Sequence, residues 1–159
     1  AHDFGCTGNE TREDLDANTE LKARIEAIRL KVGPMMNLGD VSERTVPKMC
    51  LVSPPLKGGA INTRCFIPHR CHASIGVLAA VSVATAVAIP GTVCNGVGVV
   101  PEGDHLQLEI EHPTGHMGVE ILLERINGQI NVAQAALIRT ARWLFDGNVS
   151  VPRRVWTGR

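Results

Sequence analysis

The hydrophobic pattern of the chain centres on one apolar run at residues 75–89. Only Gly76, Ser82 and Thr85 interrupt a series of valine, leucine, isoleucine and alanine residues. A helix of this composition has no face to present to water, so the pattern predicts a central buried helix, over about residues 72–89, wrapped by strands. A membrane span needs about 20 apolar residues. Because this run is shorter and contains two hydroxyl groups, we favour the buried helix.

A second, amphipathic helix is predicted near the start of the chain. Asn18 or Thr19 can cap it, and Gly33-Pro34 is a stop signal. One face is apolar at helical spacing and carries Leu21, Ile25, Ile28 and Val32. The other face is charged and is assigned to solvent; it carries Lys22, Arg24, Glu26, Arg29 and Lys31.

Most of the remaining chain predicts strands, which together with the buried helix indicates an α+β fold. Strands are expected at residues 47–55, 61–67, 92–100, 105–112, 118–124, 129–138 and 148–152, with a short helical turn at 139–146. Within 105–112 apolar and polar residues alternate, so one set faces the core and the other faces water. The apolar set is Leu106, Leu108 and Ile110, and the polar set is Gln107, Glu109 and Glu111. Asn127-Gly128 is a strong signal for a hairpin turn.

Composition narrows the class of partner. The 159 residues fit one domain, and 16 basic residues balance 16 acidic ones, which indicates neither a nucleic-acid nor an anionic-membrane partner. Five cysteines at irregular spacing favour a reducing compartment over a disulfide framework, so a cytoplasmic location is expected. Because the chain opens at Ala1 without methionine, we expect a preceding segment to have been removed.

The start of the buried helix is the first candidate site. His72, Ala73 and Ser74 are predicted to lie there, where unpaired N–H groups and the positive end of the helix dipole favour a carboxylate. A second candidate is the turn at residues 112–115, His-Pro-Thr-Gly. Spacing alone leaves two interpretations of that turn open, a plain hairpin turn with a threonine hydrogen bond or a second anion cradle.

Thiols and imidazoles crowd together just before the helix. Four potential ligands, Cys65, His69, Cys71 and His72, lack the paired spacing of a zinc site, so no metal is expected. Cys71 could act as a nucleophile, because a helix start and cationic neighbours lower the pKa of a thiol. A half-buried structural cysteine is the favoured alternative. Lys48 and Arg64 lie in predicted strands, where a cation needs a partner or water.

Two motifs, at residues 68–76 and 111–115, resemble those of the methylaconitate isomerase and 4-oxalomesaconate tautomerase family. They read Pro-His-Arg-Cys-His-Ala-Ser-Ile-Gly and Glu-His-Pro-Thr-Gly, and residues 22–29, 46–49 and 139–152 support the match. The resemblance covers essentially the whole chain. It implies a fold like that of diaminopimelate epimerase, in which two similar halves each roll an antiparallel-rich sheet around a central helix and hold the substrate between them.

Family members are about twice this length, so the resemblance implies that residues 1–159 form one domain, the C-terminal half. The last strand, at about residues 148–152, belongs either to this half or to the absent first half. The implied partners are a tricarboxylate or dicarboxylate substrate and the missing half, with a homodimer as a further expectation. The family shifts protons on such acids without a cofactor. The sequence of residues 68–76 is closer to that of the tautomerase branch. A 2-methylaconitate cis-trans isomerase and an isolated, non-catalytic carboxylate-binding or interaction domain are the alternatives.

The resemblance also implies roles for single residues. In the epimerase relatives a catalytic cysteine follows an alanine at the helix start, whereas here Ser74 follows Ala73 and Cys71 lies three residues earlier. Cys71 is thus the one catalytic candidate in this half, and the acid/base lysine is expected in the absent half. Carboxylate binding is assigned to Ser74, Ile75 and Gly76 through helix N–H groups, with Thr114 and Gly115 as a second contact. Substrate charge or the lining of the cleft is assigned to His69, Arg70 and His72.

Overall fold

A computed structural model describes residues 1–158 of the chain. Within these residues the chain forms a 3-10 turn at His2–Phe4 and then three helices, α1 (Arg12–Ala17), α2 (Thr19–Met35) and α3 (Val77–Ala88). Five strands follow the order β1 (Met49–Ser53), β2 (Ile61–Phe66), β3 (His105–His112), β4 (Gly115–Ile126) and β5 (Gln129–Leu137). Among residues 1–158, no helix combines the length and the apolar character needed to cross a bilayer.

The five strands form one curled, mixed sheet in the order β1-β2-β3-β4-β5. Strands β2 and β3 pair in parallel, and the other neighbours are antiparallel. The sheet is a half-barrel that packs α3 on one face, which confirms the predicted α+β fold. The core between them contains Ile61, Ala80, Ala84, Val87, Leu106, Leu108, Ile110, Val119 and Ile121. A smaller core on the other face joins β1 and β2 to α1 and α2 and contains Leu15, Leu21, Ile25, Leu51, Phe66 and Cys71.

Helix α3 differs from the prediction in length and in exposure. It begins at Val77 rather than near residue 72, and its first intrahelical bond runs from the Ala80 N–H to the Gly76 carbonyl. The half-barrel covers one side only: Ala80 and Ala84 are fully buried, whereas Leu78 is 78% exposed. The expected enclosure on all faces is therefore wrong, because five strands do not close around the helix.

The charged face of α2 requires a second correction at Arg29. Its side chain is completely buried, and the guanidinium donates to the Glu26 carboxylate and to the carbonyls of Val41, Arg44 and Val46. Arg29 therefore ties the loop after α2 to the helix instead of facing water. The predicted start is confirmed, since the Asn18 side chain accepts from the Leu21 N–H. The helix runs past Gly33 to Met35.

The strand predictions are mixed in outcome. Leu106, Leu108 and Ile110 are buried as expected, and the hairpin at residues 127–128 is confirmed by left-handed φ values of 52° and 79°. Glu111 is 4% exposed, so its assignment to water is wrong. Residues 92–100 form turns, because the N–H groups of Asn95, Val97 and Gly98 bond back to carbonyls three or four residues earlier. Residues 139–146 contain no helical turn and 148–152 no strand.

Candidate functional site

The topology brings the two sequence motifs to the same edge of the sheet. Strands β2 and β3 run in parallel, and the last residues of β3 pair with the first residues of β2, so β2 extends beyond the end of β3. After β2 the chain reverses at residues 67–70 and returns beside it, where the His72 N–H donates to the Cys65 carbonyl at 2.7 Å. One side of Cys65 is already taken by β1, so residues 71–73 lie on the β3 side, beyond the end of β3. There the Thr114 hydroxyl donates to the Ala73 carbonyl at 2.9 Å.

The start of α3 leaves its first N–H groups without a side-chain cap. Gly76 is the N-cap residue, with an extended backbone, so the uncapped N–H groups belong to residues 76–79. The structure thus places Gly76 at the helix start, whereas Ile75 is buried and Ser74 lies before the helix. The Ser74 N–H donates to Nδ1 of His72 at 3.3 Å. The free amides are therefore shifted toward residues 76–79, which the sequence did not indicate.

Imidazoles surround the contact between the two motifs. Nδ1 of His112 lies 3.4 Å from the Thr114 hydroxyl, and His72 is exposed beside Ser74. Desolvation lowers the pKa of His112, the neighbouring imidazoles of His116 and His72 lower it further, and main-chain groups of His116 and Ala73 oppose the shift. The lowered pKa favours the neutral form of His112.

His69 and Arg70 lie at the tip of the reversal, where the Ile67 N–H donates to the Arg70 carbonyl. Both side chains are exposed, and Nδ1 of His69 lies 3.8 Å from a carboxylate oxygen of Glu26 in α2. The structure thus places His69 against α2, whereas His72 lies within the same cluster as Thr114.

Cys71 is buried in the smaller core rather than at the helix start. It is 1% exposed, its N–H donates to the Asp16 carboxylate at 2.7 Å, and its carbonyl accepts from Arg12. Desolvation raises the pKa of the Cys71 thiol to about 11. The direction is opposite to that expected for a nucleophile near a helix start, because the sulfur packs among Leu15, Leu21 and Phe66.

Lys48, for which the sequence predicts only a cation in a strand, also belongs to this region. It precedes β1 and is exposed, and its Nζ lies 3.5 Å from the position of a Cβ added to Gly76. The ammonium group therefore lies at the start of α3, where the positive end of the helix dipole offers it no stabilisation. The Val-Pro-Lys-Met match at residues 46–49 was the one signal for it.

An apolar groove of about 400 Å³ continues from this point along the open side of α3. Its polar lining groups include Lys48 and Ser82 of α3, and its apolar lining includes Leu78, Val83 and Val93. In the described part of the chain no three His, Cys, Asp or Glu side chains converge as a metal site would require.

Glu111 is the second residue that sequence reasoning missed. Its carboxylate accepts the backbone N–H groups of Leu56, Lys57 and Gly59 at 2.7 to 2.8 Å. Burial by itself raises the pKa of Glu111, but the three backbone donors outweigh burial and lower the net pKa. Glu111 thus holds the loop between β1 and β2 beside the turn that carries Thr114. No local signal distinguishes it from Glu109, since only the tertiary return of the loop buries it.

Comparison with known proteins gives consistent family matches. The family described as "PrpF protein" matches residues 1–152. The chain is 57% identical over 158 residues to the 4-oxalomesaconate tautomerase of Pseudomonas putida, covering 99% of this chain and 43% of the relative. It is 60% identical over 151 residues to the (4E)-oxalomesaconate Delta-isomerase of Novosphingobium sp., covering 95% and 42%.

More distant matches show the same coverage. A 2-methyl-aconitate isomerase of Shewanella oneidensis is 29% identical over 170 residues, covering 96% of this chain and 42% of the relative. A solved structure, a methylitaconate-delta-isomerase, superposes with a TM-score of 0.66 at 19% identity, covering 92% of this chain and 46% of that one. The chain therefore spans less than half the length of the curated relatives it matches, and the predicted resemblance and fold are confirmed.

Proposed function

The chain belongs to the PrpF family, and we propose that it is the carboxylate-binding second half of a cofactor-independent isomerase that tautomerises a tricarboxylic oxo-acid such as 4-oxalomesaconate. The observation that carries the proposal is the hydrogen bond between Thr114 and Ala73, which joins the two motifs beside the uncapped start of α3. Lys48 adds a positive charge at that place.

The electrostatics of this region suit an anion. Lys48 carries a positive charge, and the N–H groups at the start of α3 can donate hydrogen bonds to an anion. Glu111, which precedes His112 in β3, is already occupied because it accepts three backbone N–H groups of the loop between β1 and β2. A substrate carboxylate at the start of α3 would thus meet donors without competition from Glu111.

The reaction we propose needs no redox group. A base removes a proton from the carbon alpha to the oxo group, the enolate charge is held by N–H donors, and a proton returns elsewhere on the same molecule. Within this half, Cys71 is the remaining catalytic candidate, but its protonated, buried thiol is poorly suited to act as the base. We therefore assign the base to the half of the enzyme that this chain does not include.

The choice of substrate within the family rests on sequence identity to the named relatives. Relatives whose names specify oxalomesaconate are 57–60% identical to this chain, whereas those named for methylaconitate are 28–29% identical. This supports the tautomerase over the 2-methylaconitate cis-trans isomerase. Side-by-side assays of the full-length enzyme with 4-oxalomesaconate and 2-methylaconitate test the choice, and preferential turnover of 2-methylaconitate would contradict it.

All five cysteines are free thiols, which agrees with the cytoplasmic location we propose.

The second candidate function is an isolated domain that binds carboxylates or a protein partner without turnover. It is supported by exposed tryptophans that a protein partner could cover, Trp143 at 81% and Trp156 at 59%. Calorimetric titration with tricarballylate, an unreactive tricarboxylate, tests the shared binding step. Absence of binding by both the chain and the full-length enzyme would contradict the isomerase half and the carboxylate-binding form of the second candidate. A homodimer remains a prediction, which sedimentation of the chain can test.

A further inference from the structure

Two cysteines face each other across the first two strands. Cys50 of β1 is the direct register partner of Cys65 in β2, within an antiparallel pair. Side chains of directly opposed residues point to the same face of a sheet. Both cysteines accordingly pack into the core on the α3 side, while their strand neighbours Leu51 and Phe66 pack into the smaller core on the other side.

The strand geometry matches the requirements of a disulfide. Opposed residues of an antiparallel pair have Cα atoms about 4.5 or 5.5 Å apart, and disulfides join Cα atoms about 4.4 to 6.8 Å apart. The two thiols also affect each other: interaction with Cys65 is the largest cause that raises the pKa of Cys50, and interaction with Cys50 is the largest cause that lowers the pKa of Cys65, whereas burial raises the pKa of both. The two side chains are therefore close enough to interact.

Access to the pair is provided by the groove along α3. Cys65 is buried at 1% exposure, but Cys50 is half-buried and lines the groove. We infer that Cys50 and Cys65 form a reversible oxidation site, in which a hydroperoxide entering the groove converts the two thiols into a cross-strand disulfide.

The chemistry balances with hydrogen peroxide as the oxidant. The Cys50 thiol gives up its proton to water and its sulfur attacks one peroxide oxygen; the O–O bond breaks, a sulfenic acid forms, and the departing hydroxide takes up the proton as water. The Cys65 sulfur then attacks the Cys50 sulfur, so that the S–S bond forms as the S–O bond breaks and a second water leaves. Two electrons pass from the thiols to the peroxide, and both thiol protons end in water.

The other three cysteines are less suitably placed to form a disulfide with Cys50 or Cys65. Cys71 lies in the core on the opposite face of the sheet, and Cys6 packs at its edge. Cys94 is the competitor, because it lines the same groove as Cys50. It is buried in the turns between α3 and β3, outside the strand register that fixes Cys50 against Cys65.

Oxidation of the folded chain followed by mass spectrometry tests the inference. Treatment with a small excess of hydrogen peroxide should remove the mass of two hydrogen atoms, dithiothreitol should restore it, and digestion after alkylation should give one peptide that links Cys50 to Cys65. Cys50→Ser should abolish the loss, while the matched variants Cys6→Ser and Cys94→Ser should retain it. Cys50 is half-buried, so its variant is expected to fold even where Cys65→Ala does not.

Three results would overturn the inference. One is a linked peptide that joins Cys50 to Cys94. Another is oxygen addition to Cys50 without any disulfide. The third is a mass unchanged by peroxide at concentrations that oxidise a free dithiol peptide.

Discussion

Glu111 is a single residue whose place in the strand pattern predicts exposure but whose carboxylate is buried and holds a loop. It occupies a polar position of an alternating strand, yet it lies beneath the loop that joins β1 to β2. Gly59 permits this contact, since a Cβ there would lie 2.8 Å from Cγ of Glu111 and 2.7 Å from the Glu109 carbonyl. The carboxylate replaces water as the acceptor for three backbone N–H groups.

Replacing Glu111 by glutamine should lower the free energy of unfolding by about 1 to 3 kcal/mol at neutral pH, because hydrogen bonds to an ionised acceptor are the stronger ones. The folded-state pKa of Glu111 is lowered. Its stabilisation is therefore fully present above the unfolded value of about 4.3 and is lost as pH falls through the folded pKa. Urea unfolding at neutral and acidic pH should show the difference between wild type and variant shrinking on acidification.

The matched control is Glu109→Gln in the same strand, which removes an exposed carboxylate and should change the unfolding free energy by less than about 0.5 kcal/mol. A pH-independent effect of Glu111→Gln would show that the charge of the carboxylate is not what stabilises the loop.

Lys48→Met should weaken tricarballylate binding by the full-length enzyme about fivefold to tenfold, equivalent to about 1 kcal/mol. The reason is the position of the ammonium group at the uncapped start of α3. Lys31→Met is the matched control, because it removes the same charge from an exposed position on α2. Calorimetry measures both; equal affinities for the two variants would remove Lys48 from the site.

At the scale of elements, hydrophobic periodicity and turn residues correctly predicted the features that depend on local sequence alone. The alternation of Leu106, Leu108 and Ile110 and the Asn127-Gly128 turn are local properties, and both are confirmed. The burial of Arg29 depends on a loop that returns from residues 41–46, which no helical pattern contains. In the candidate site, the two motifs were predictable from sequence, but their contact depends on the parallel pairing of β2 and β3.

Helix α3 illustrates the same limit. Its composition predicted a buried helix but could not show which face is covered, because alanine and valine occur on every side. Closely packed small residues, Ala80 and Ala84, mark the covered face, and the exposed Ser82 marks the open one. The start of the helix shifted to Val77 because Gly76 takes the extended backbone of an N-cap.

Ala84→Leu should therefore destabilise the fold by about 1 to 3 kcal/mol, since three extra carbon atoms have no space between α3 and the sheet. Ser82→Leu places the same side chain on the open face and should cost less than about 1 kcal/mol. Thermal or urea unfolding of the two variants measures the contrast. Equal destabilisation would contradict the one-sided packing of α3.

The whole molecule has an apolar surface that its own fold does not cover. Beyond β5, residues 138–158 are exposed and irregular, and they include Trp143, Leu144 and Phe145 at 73–83% exposure. Both tryptophans of the chain lie in this segment. In relatives more than twice as long, such a segment has further polypeptide to contact, which agrees with the proposed division of binding and base between two halves.

Placing the binding groups in this chain and the base in the other half leads to a prediction about turnover, which a binding measurement alone does not test. The chain should bind tricarballylate, because Lys48, α3 and the Thr114 turn are present, yet it should leave 4-oxalomesaconate unchanged, because the base is assigned to the other half. Adding the complementary half of the enzyme should restore tautomerisation and shift the tryptophan emission to shorter wavelength as residues 143 and 156 become covered. Turnover by the chain alone, at a rate proportional to its concentration, would place the base among its own residues, and Cys71→Ser would then decide whether the buried thiol supplies it. An emission shift without restored turnover would show that the two halves bind each other but do not bring the catalytic groups together.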